Sequence, residues 1–577
     1  MGFIRPALPE LDYPRWRERS RMGRLEPVVR HWGTVGFGTP DAVYALYVVK
    51  IAGYVAGAAW FAASTPGLGP VTAVGSWWTE PVVYQKLVLW TLLFEVLGLG
   101  CGFGPLTLRF LPPVGAFLYW LRPGTIRLPP WPGRVPFTRG TRRTAGDALL
   151  YAGVLAAAVW ALLAPATRGR GGLPGHLGLI EPVRLAPLLV LLPLVGLRDK
   201  TVFLAARSEV YLTATAAFLL PGVDMVVTAK LIMLVIWWGA ATSKLNRHFP
   251  YVVQVMMSNN PVWRSARLKR TLHRRYPEDM RPSAVAAFLA HTGTAVEYTV
   301  PLVLFLSRGG PVTLVAALVM VAFHVNILTS IPVGAPLEWN VYMMCGIAIL
   351  FGHDARYGLA DIGRPLPVAA IAGALVAGIV VGNLAPRKVS FLIGMRYYAG
   401  NWDTSLWCLT PAAIDRIERS ITKAGRLPRA QLVRLYGEEV ADVLTHTGYA
   451  FRAMHSHGRA LFGLVPRACG PTHETDYLVM DGELIAGVAL GWNFGDGHLH
   501  NEQLLAALQE RCRFADGEVR VIVLDGQPIH RQRQSYRLLD AATGELERGH
   551  IRVRDMLARQ PCDDTPLPVR TARRSAG

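Results

Sequence analysis

The sequence predicts a polytopic α-helical membrane protein of about ten spans with a C-terminal cytosolic α+β domain. Apolar runs of membrane-spanning length recur between residues 41 and 385, and one span needs about 20 apolar residues. Only 17% of the 577 residues are charged, whereas an average soluble protein is about a quarter charged. The basic residues cluster in alternate loops, which is the pattern that orients membrane proteins.

The chain opens with a polar, basic segment over residues 1–40. This segment contains no short apolar run followed by a cleavage site, so we expect no signal peptide and expect the first span to direct membrane targeting. The first residues also lack the Ser or Thr of a myristoylation signal. We predict a cytoplasmic arm over 1–40, a transmembrane bundle over 41–394 and a cytosolic α+β domain over 395–577.

The apolar runs predict the individual spans and their orientation. We place the spans at 41–63, 82–105, 146–165, 182–198, 201–220, 223–243, 283–307, 311–332, 336–352 and 365–385. The run 182–198 is short and contains two prolines, which favours a kinked or partial span, and the segment 114–121 is too short to cross. With the N terminus inside, most loop Lys and Arg residues fall on one side, so both termini are predicted to be cytoplasmic and the protein to lie in the plasma membrane.

The formal net charge of +20 allows two interpretations. Nucleic-acid binding is disfavoured because the basic residues follow the loops between apolar runs rather than one continuous stripe. The Pro- and Arg-rich loop 122–143 is either a connector at the headgroup level or a binder of anionic lipid headgroups. The basic stretch 259–282 is expected to be attracted to an anionic lipid surface. Membrane lipids and a lipid-soluble small molecule are therefore the predicted partners, and nucleic acid is not.

The region after residue 395 resembles an ordinary soluble sequence. Helical patterns occupy 411–425 and 429–448, and runs typical of strands occupy 475–482, 483–492, 518–526 and 535–544, with DG and TG turn signals between them. Two histidine pairs, His455 with His457 and His498 with His500, would each share one face of a strand and could offer two imidazoles to a metal. No Cys or Glu completes a known metal pattern, so we predict no metal site.

The six cysteines form no CxxC motif, and their spacing requires no disulfide framework. Walker A, GxSxG, HExxH and GxGxxG patterns are also missing from the sequence. ATP-driven transport and serine hydrolysis therefore have no support from motifs.

Charged and ionisable residues inside the apolar runs are the strongest functional signal, and they include Lys50, Glu95, Lys230, Glu297 and His324. A charge at bilayer depth costs a few kcal/mol or more, so it usually faces a bundle interior or a wet cavity and marks a candidate site.

Lys230, Trp237 and Lys244 recur at helical spacing and should share one face of the sixth span. A lysine in an apolar setting loses its proton more easily and can act as a base. Lys244 is therefore a candidate catalytic base, and the alternative is that it snorkels to the headgroups.

Glu297 lies near the centre of the seventh span and His324 lies deep in the eighth. We predict both as catalytic residues that orient Lys244 or transfer protons. The alternative is an interhelical hydrogen bond that only holds the bundle together, because buried polar groups must be paired whether or not they react. The predicted substrate-binding residues are Lys230, Trp237, Glu95 and Asn326.

The chain resembles an uncharacterised bacterial family of transmembrane proteins over nearly its whole length. The segments that carry this resemblance are VGFGTPDAVYALYVVKIAGY, FEVLGLGCGFGPL, FLYWLRPGTIRLPPWPGRVP and SKLNRHFPYVVQVMMSNNP. This resemblance names no activity, and it implies a location in the bacterial inner membrane.

A more distant resemblance covers about residues 200–350. The order GAATSKLN, TAVEYTVPLVLF and FHVNILTSIP is similar to the transmembrane domain of vitamin K-dependent gamma-carboxylases and their bacterial relatives. That resemblance implies a membrane lysine that acts as a base on a reduced quinone, with oxygen driving epoxidation and carboxylation, and Lys244 matches this lysine by position. The Trp that the family shows after Lys-Leu is replaced here by His248-Phe249-Pro250.

Three hypotheses follow from these observations. The first is a membrane-embedded enzyme that acts on a quinone or another lipid-soluble substrate with Lys244 as its base. The second is a transporter or lipid-handling protein of the cell envelope, in which the buried charges line a path or proton relay. The third is a scaffold for envelope biosynthesis, with residues 400–577 as its interaction module.

Overall fold

The computed structural model of the chain describes residues 2–101, 116–167, 176–330 and 336–572. The described part up to residue 384 is almost entirely helical. It contains α1 (Tyr13–Arg17), α2 (Arg21–Val35), α3 (Asp41–Ala63), α4 (Val74–Trp77), α5 (Pro81–Val96), α6 (Phe117–Trp120), α7 (Ala145–Leu162), α8 (Pro182–Arg198), α9 (Lys200–Ala205), α10 (Ser208–Ala217), α11 (Gly222–Lys244), α12 (Phe249–Asn259), α13 (Ala266–Arg270), α14 (Ala284–Leu306), α15 (Gly310–Ser330), α16 (Leu337–Gly346), a π-helical turn (Ile347–His353) and α17 (Pro365–Leu384). A two-stranded hairpin, β1 (His273–Arg275) and β2 (Asp279–Pro282), precedes α14.

Six helices in the described part of the chain are long and apolar enough to cross a membrane, namely α3, α7, α11, α14, α15 and α17. Each coincides with a predicted span to within three residues at either end. Helix starts follow familiar capping rules: Thr144 and Asp147 form a capping box before α7, and the Ser283 side chain accepts a hydrogen bond from the Ala286 N–H at the start of α14.

The prediction of ten spans is not confirmed. In the run 82–105 the structure has the 16-residue α5, and residues 102–105 lie outside the described residues. The run 182–198 is the 17-residue α8, and 336–352 is divided into α16 and the π-helical turn. The segment 114–121 is described only from residue 116 and contains the single turn α6.

The run 201–220 is not one helix but two. Its two halves, α9 and α10, meet at Arg207, whose φ of 50° lies in the left-handed region. This conformation is uncommon for a residue with a side chain, and it interrupts the helical hydrogen-bond ladder. The break turns the Arg207 side chain inward, where only 1% of the residue is exposed.

Helix α11 is the most enclosed of the six long helices, since 83% of the residues in its most apolar stretch are buried. It packs against α14 on one side and α17 on another. Gly239 allows the second contact, because a Cβ there would lie 2.7 Å from the Cδ1 of Ile379 in α17. The other long helices keep much of their surface exposed, as expected for helices that face lipid.

The region after residue 395 contains a six-stranded antiparallel sheet with the strand order β4-β3-β5-β6-β7-β8. The strands are β3 (Thr404–Leu409), β4 (Leu478–Asp481), β5 (Val519–Leu524), β6 (Arg533–Asp540), β7 (Gly544–Arg552) and β8 (Arg570–Thr571). The helices are α18 (Pro411–Ser420), α19 (Pro428–Tyr436), α20 (Glu438–Met454), α21 (Ser456–Cys469), α22 (Gly482–Leu490), α23 (Glu502–Cys512) and α24 (Val553–Ala558).

Three predictions for this region are wrong in detail. The run 483–492 is the helix α22 rather than a strand, because a short, fully buried apolar run does not distinguish the two. The stretch 429–448 contains two helices that are separated at Gly437, whose φ is 83°. The histidine pairs do not lie on strands: His455 precedes α21 and His457 is inside it, whereas His498 is inside a 3-10 turn at Gly497–Leu499 and His500 follows that turn.

The N-terminal arm packs against the C-terminal region. Leu25, Val29 and Trp32 of α2 belong to the same buried cluster as residues of α20, α21 and the sheet. The Arg24 Nε donates to the Nε2 of His446 at 3.3 Å, and the Tyr13 hydroxyl donates to Asp442 at 2.7 Å. A second, larger cluster continues from the helices before residue 385 into α18, α22 and α23, so the two regions share hydrophobic contacts.

Candidate functional site

An apolar cavity of about 400 Å³ lies between α11, α12, α14, α15 and α16, and the C-terminal region closes one side of it. Small-molecule sites typically enclose about 300–1,000 Å³. The wall reaches the outer surface at Thr292, which is exposed on α14. The polar and aromatic lining residues are Arg207, Trp237, Lys244, Phe249, Trp263, Thr292, Glu297, Phe323, His324, Asn326, Ser330, Trp339, Asn340, Tyr397, Tyr398 and Phe494, and the remaining wall is mostly aliphatic.

Lys244 and Glu297 form a buried ion pair in the wall of this cavity. The Lys244 Nζ lies 2.6 Å from both carboxylate oxygens of Glu297. The lysine side chain is 9% exposed and the glutamate side chain 4% exposed. The ammonium also lies 5.4 Å from the centre of the Phe249 ring, within cation–π range. Lys244 therefore points into the bundle rather than toward headgroups, and the snorkelling alternative does not describe it.

Side-chain hydrogen bonds hold α11 and α14 in register around this pair. The hydroxyls of Thr242 and Tyr298 are 2.7 Å apart, and the Trp238 indole donates to the Tyr298 carbonyl at 2.9 Å. After Lys244 the chain turns sharply. The side chain of Asn246 accepts from the backbone N–H groups of His248 and Phe249 and so caps α12.

His324 lies in the same cavity wall, and both of its ring nitrogens are occupied. The Trp237 Nε1 donates to His324 Nε2 at 3.0 Å, and His324 Nδ1 lies 2.8 Å from Asn340 Oδ1. An indole N–H can only donate, so Nε2 must accept and the proton must sit on Nδ1. The Asn340 amide nitrogen donates to the Pro336 carbonyl, which leaves its oxygen for the histidine. His324 is therefore a neutral imidazole that positions Trp237.

Arg207 reaches the cavity from the junction of α9 and α10. Its Nε donates to Glu209 Oε1 at 2.7 Å, and its Nη1 donates to the Cys101 sulfur at 3.4 Å. The guanidinium lies over the Trp339 ring at 4.3 Å and near the Tyr397 ring at 5.1 Å. Two ion pairs, Arg207–Glu209 and Lys244–Glu297, thus contribute to an otherwise apolar pocket.

Lys230 does not line this cavity, although it shares α11 with Lys244. Its ammonium donates to the backbone carbonyls of Asp354, Ala355 and Tyr357 at 2.7, 3.3 and 2.7 Å. These carbonyls follow the π-helical turn, and a cation there satisfies otherwise unpaired acceptors. The geometry gives Lys230 a structural role rather than contact with a cavity ligand.

Glu95 is also outside the cavity, in a second buried cluster. Its Oε2 accepts the Cys101 N–H at 2.8 Å, and possible ligand atoms of Glu95, Cys101 and Glu338 lie within 4.8 Å of one another. Such a group could hold a metal ion. However, Lys50 lies 3.0 Å from Glu338, and Arg207 donates to Cys101, so two cations already oppose the carboxylates. This charge balance disfavours a metal at the cluster.

Of the seven predicted site residues, five line one cavity: Lys244, Glu297, His324, Trp237 and Asn326. Sequence reasoning missed Arg207 and the side chains that the C-terminal region contributes, Tyr397, Tyr398 and Phe494. Arg207 carried the same signal as Glu95, a charge within an apolar run. The other three carry no such signal, because their place at the cavity depends on tertiary packing.

His248 was not among the predicted site residues, and it joins the end of α11 to the C-terminal region. Its Nδ1 lies 2.7 Å from the Ser456 hydroxyl and its Nε2 lies 2.7 Å from Gln527 Oε1. Burial lowers the pKa of His248 to about 4, so the ring is neutral at physiological pH. The His248-Phe249-Pro250 departure from the carboxylase pattern therefore has a local function: Phe249 faces the Lys244 ammonium and His248 anchors the turn.

Comparison with known proteins gives a family but no activity. Residues 1–572 match the model of a family described as "Transmembrane protein of unknown function (DUF3556)". No curated protein matches the chain, and no solved structure matches it. Nothing in these comparisons bears on the resemblance to gamma-carboxylases, which stays a prediction.

Proposed function

We propose that this chain, which belongs to the DUF3556 family of transmembrane proteins, is a membrane-embedded enzyme that transfers a proton from a quinone-like or other lipid-soluble substrate. The observation that carries this proposal is the Lys244–Glu297 ion pair in the wall of an apolar cavity of about 400 Å³. Burying two charges costs several kcal/mol per ion before their attraction offsets it. Intramembrane charges of this kind usually mark a functional site.

The pair is suited to accept a proton as a unit. A proton can move between the Lys244 amine and the Glu297 carboxylate, 2.6 Å apart, without a change in the net charge of the pair. When a substrate hydroxyl gives up its proton, both partners become protonated. The Lys244 ammonium is then free to stabilise the substrate oxyanion, because the neutral Glu297 no longer holds it by charge.

His324 has a positioning role in this proposal. Its two nitrogens are occupied by Trp237 and Asn340, so it cannot take a substrate proton unless one of these hydrogen bonds breaks. Asn326 and Trp237 contribute to the wall against which the substrate packs.

Access from the lipid is consistent with the location of the cavity. Thr292 lies eight residues into α14, or about 12 Å along the helix axis at 1.5 Å per residue. Helices α14 and α15 are both candidate spans that expose most of their surface. A lipid-soluble molecule could therefore reach the ion pair sideways, between these two helices, without crossing water.

Ligand identification tests the cavity itself. The protein is purified into nanodiscs, and bound molecules are extracted and identified by mass spectrometry. Gly293→Leu fills the cavity, since a Cβ at Gly293 would be only in ordinary contact, 3.8 Å from the Phe323 ring. The control is Ala295→Leu, which changes the exposed face of the same helix. We expect a quinone or similar molecule in wild type and in the control, and its loss from Gly293→Leu.

Turnover tests the chemistry. The deprotonated quinol can pass two electrons to dissolved oxygen, which leaves with the two quinol protons as hydrogen peroxide while the quinol becomes the quinone. We expect the wild-type protein to consume oxygen in this way in the presence of a reduced short-chain quinone, and we expect Lys244→Ala to fold but lose this activity. Full activity in Lys244→Ala would refute the proposal. Wild-type flux of an envelope lipid across proteoliposomes, without turnover, would instead support the transporter hypothesis.

A further inference from the structure

One donor group of the cavity lining is unused. Arg207 lies in the lining, is 1% exposed, and uses its Nε and Nη1 for Glu209 and Cys101. Its Nη2 has no hydrogen-bond partner among the described residues. A buried polar group without a partner costs about 1–3 kcal/mol, and more when it is charged. Such a group at a cavity wall indicates that a ligand completes it.

The chemistry of the guanidinium restricts what the ligand offers. All five of its N–H groups are donors, so the ligand must present an acceptor. The planar group lies 4.3 Å from the centre of the Trp339 ring and 5.9 Å from that of Phe494. Aromatic rings therefore lie beside the guanidinium, and they favour a flat, apolar ligand body.

The charges of the lining restrict the ligand further. The cationic side chains among the described lining residues are Arg207 and Lys244, and each is already paired with a carboxylate, Glu209 or Glu297. An anionic ligand would add an uncompensated negative charge to an apolar cavity, which is costly. An uncharged acceptor has no such cost.

We propose that Arg207 binds the carbonyl oxygen of an uncharged, flat ligand through Nη2, and so selects carbonyl compounds over anionic lipids. This inference rests on the proposed function, because it concerns the same cavity, and it narrows the ligand to an uncharged compound whose ring oxygen is a carbonyl in the oxidised form and a hydroxyl in the reduced form. Arg207 is a specificity-determining residue in this arrangement, whereas the Lys244–Glu297 pair carries the proton.

Three probes on one ring scaffold test the proposal with the wild-type protein. Anthracene has no acceptor, 9,10-anthraquinone has two neutral carbonyls, and anthracene-9-carboxylate is an anion of similar shape. Binding is measured by equilibrium dialysis against protein in detergent micelles, with empty micelles subtracted. We expect the quinone to bind about 10- to 100-fold more tightly than anthracene, as for one hydrogen bond from a charged donor. Equal affinity of these two, or tighter binding of the carboxylate, would overturn the proposal.

Variants of Arg207 test whether this residue causes the preference for the quinone over anthracene. Arg207→Lys keeps a positive charge beside Glu209 but removes the planar guanidinium with its two terminal nitrogens. The double variant Arg207→Met with Glu209→Gln removes both charges together. Both should bind the quinone about as weakly as anthracene, with anthracene binding unchanged. The matched control is Arg184→Lys, since Arg184 also lies over an aromatic ring, Trp160 at 4.5 Å, but is not in the cavity lining. If the Arg207 variants fail to fold, the wild-type probe comparison still decides.

The two proposals fail separately. If the Arg207 variants keep wild-type quinone affinity while Lys244→Ala abolishes turnover, the inference about Arg207 is wrong and the enzyme proposal stands. If quinone binding depends on Arg207 but the wild-type protein turns over no carbonyl compound or its reduced form, the binding site stands and the enzyme proposal is wrong.

Discussion

Removing one member of the Lys244–Glu297 pair should destabilise the protein far more than removing both. At 2.6 Å and an effective dielectric constant of 20, the attraction is about 6 kcal/mol. The two side chains are only 9% and 4% exposed, so most of their hydration is lost, at several kcal/mol per ion. Attraction and desolvation therefore nearly cancel, and the pair contributes little net stability.

The single variants Lys244→Met and Glu297→Gln each leave one buried charge without its partner. Both replacements are close in size to the original side chain, so packing changes little. Each should lower the free energy of unfolding by about 3–5 kcal/mol, whereas the double variant should lie within about 1–2 kcal/mol of wild type. All three variants should lack turnover, because each removes a group that the proton transfer needs.

The assay combines unfolding of the purified protein in detergent, followed by tryptophan fluorescence, with oxygen consumption in the presence of a reduced quinone. The control is the buried pair Arg143–Asp199, 2.6 Å apart and not in the cavity lining, changed to Met and Asn. The two single variants and the double variant of this control pair should show the same non-additive effect on the free energy of unfolding. All three should keep turnover. Additive effects at Lys244 and Glu297 would refute the electrostatic reasoning, and turnover by the double variant would refute the catalytic role.

Three further predictions concern groups around or away from the cavity. Burial lowers the pKa of His498, but the Asp403 carboxylate 3.3 Å away outweighs it and raises the pKa to about 9. The resulting stability is present below about pH 6.5 and is lost as the pH rises through 9, so unfolding midpoints should fall over that interval in wild type and not in His498→Gln. Lys230→Met should leave three carbonyls unpaired and destabilise the protein by about 2–4 kcal/mol, with no change in the molecule that copurifies. His324→Gln keeps an acceptor for Trp237 and should retain turnover with an unchanged pH profile; a loss as complete as in Lys244→Ala would show that His324 carries protons.

The helices that hydropathy predicts well are those in which one local property decides the structure. Helices α3, α11 and α14 are continuous apolar runs, and their observed ends lie within a residue of the predicted ones. The run 201–220 is also apolar on average but is broken at Arg207 by a left-handed backbone conformation. Average hydropathy cannot detect such a break, because one residue hardly changes the mean over a span-length window.

The candidate site could be predicted only in part for a related reason. Lys244, Glu297 and His324 stand out individually as ionisable residues in apolar runs. Tyr397 and Phe494 come from the C-terminal region, far along the chain, and only tertiary packing brings them to the cavity. Apart from Arg207, the sequence therefore predicted the residues that are unusual in their own segment and missed those whose importance depends on their neighbours.

Neither burial nor unused hydrogen-bonding capacity alone separates structural charges from functional ones in this protein. Arg396 keeps two buried nitrogens without a partner among the described residues, yet it lies outside the cavity lining. Spare capacity indicates a ligand site only where the group also lines the cavity. Lys230 gives its ammonium to three backbone carbonyls, and His324 uses both ring nitrogens. Lys244 instead makes its two hydrogen bonds to a single carboxylate, and Arg207 keeps one nitrogen free among the described residues. A group that already makes all its hydrogen bonds within its own chain gains none from a ligand, whereas a donor with a free N–H at a cavity wall gains one when a ligand binds. Both cations among the described lining residues have spare capacity, which is why we assign proton transfer to one and ligand selection to the other.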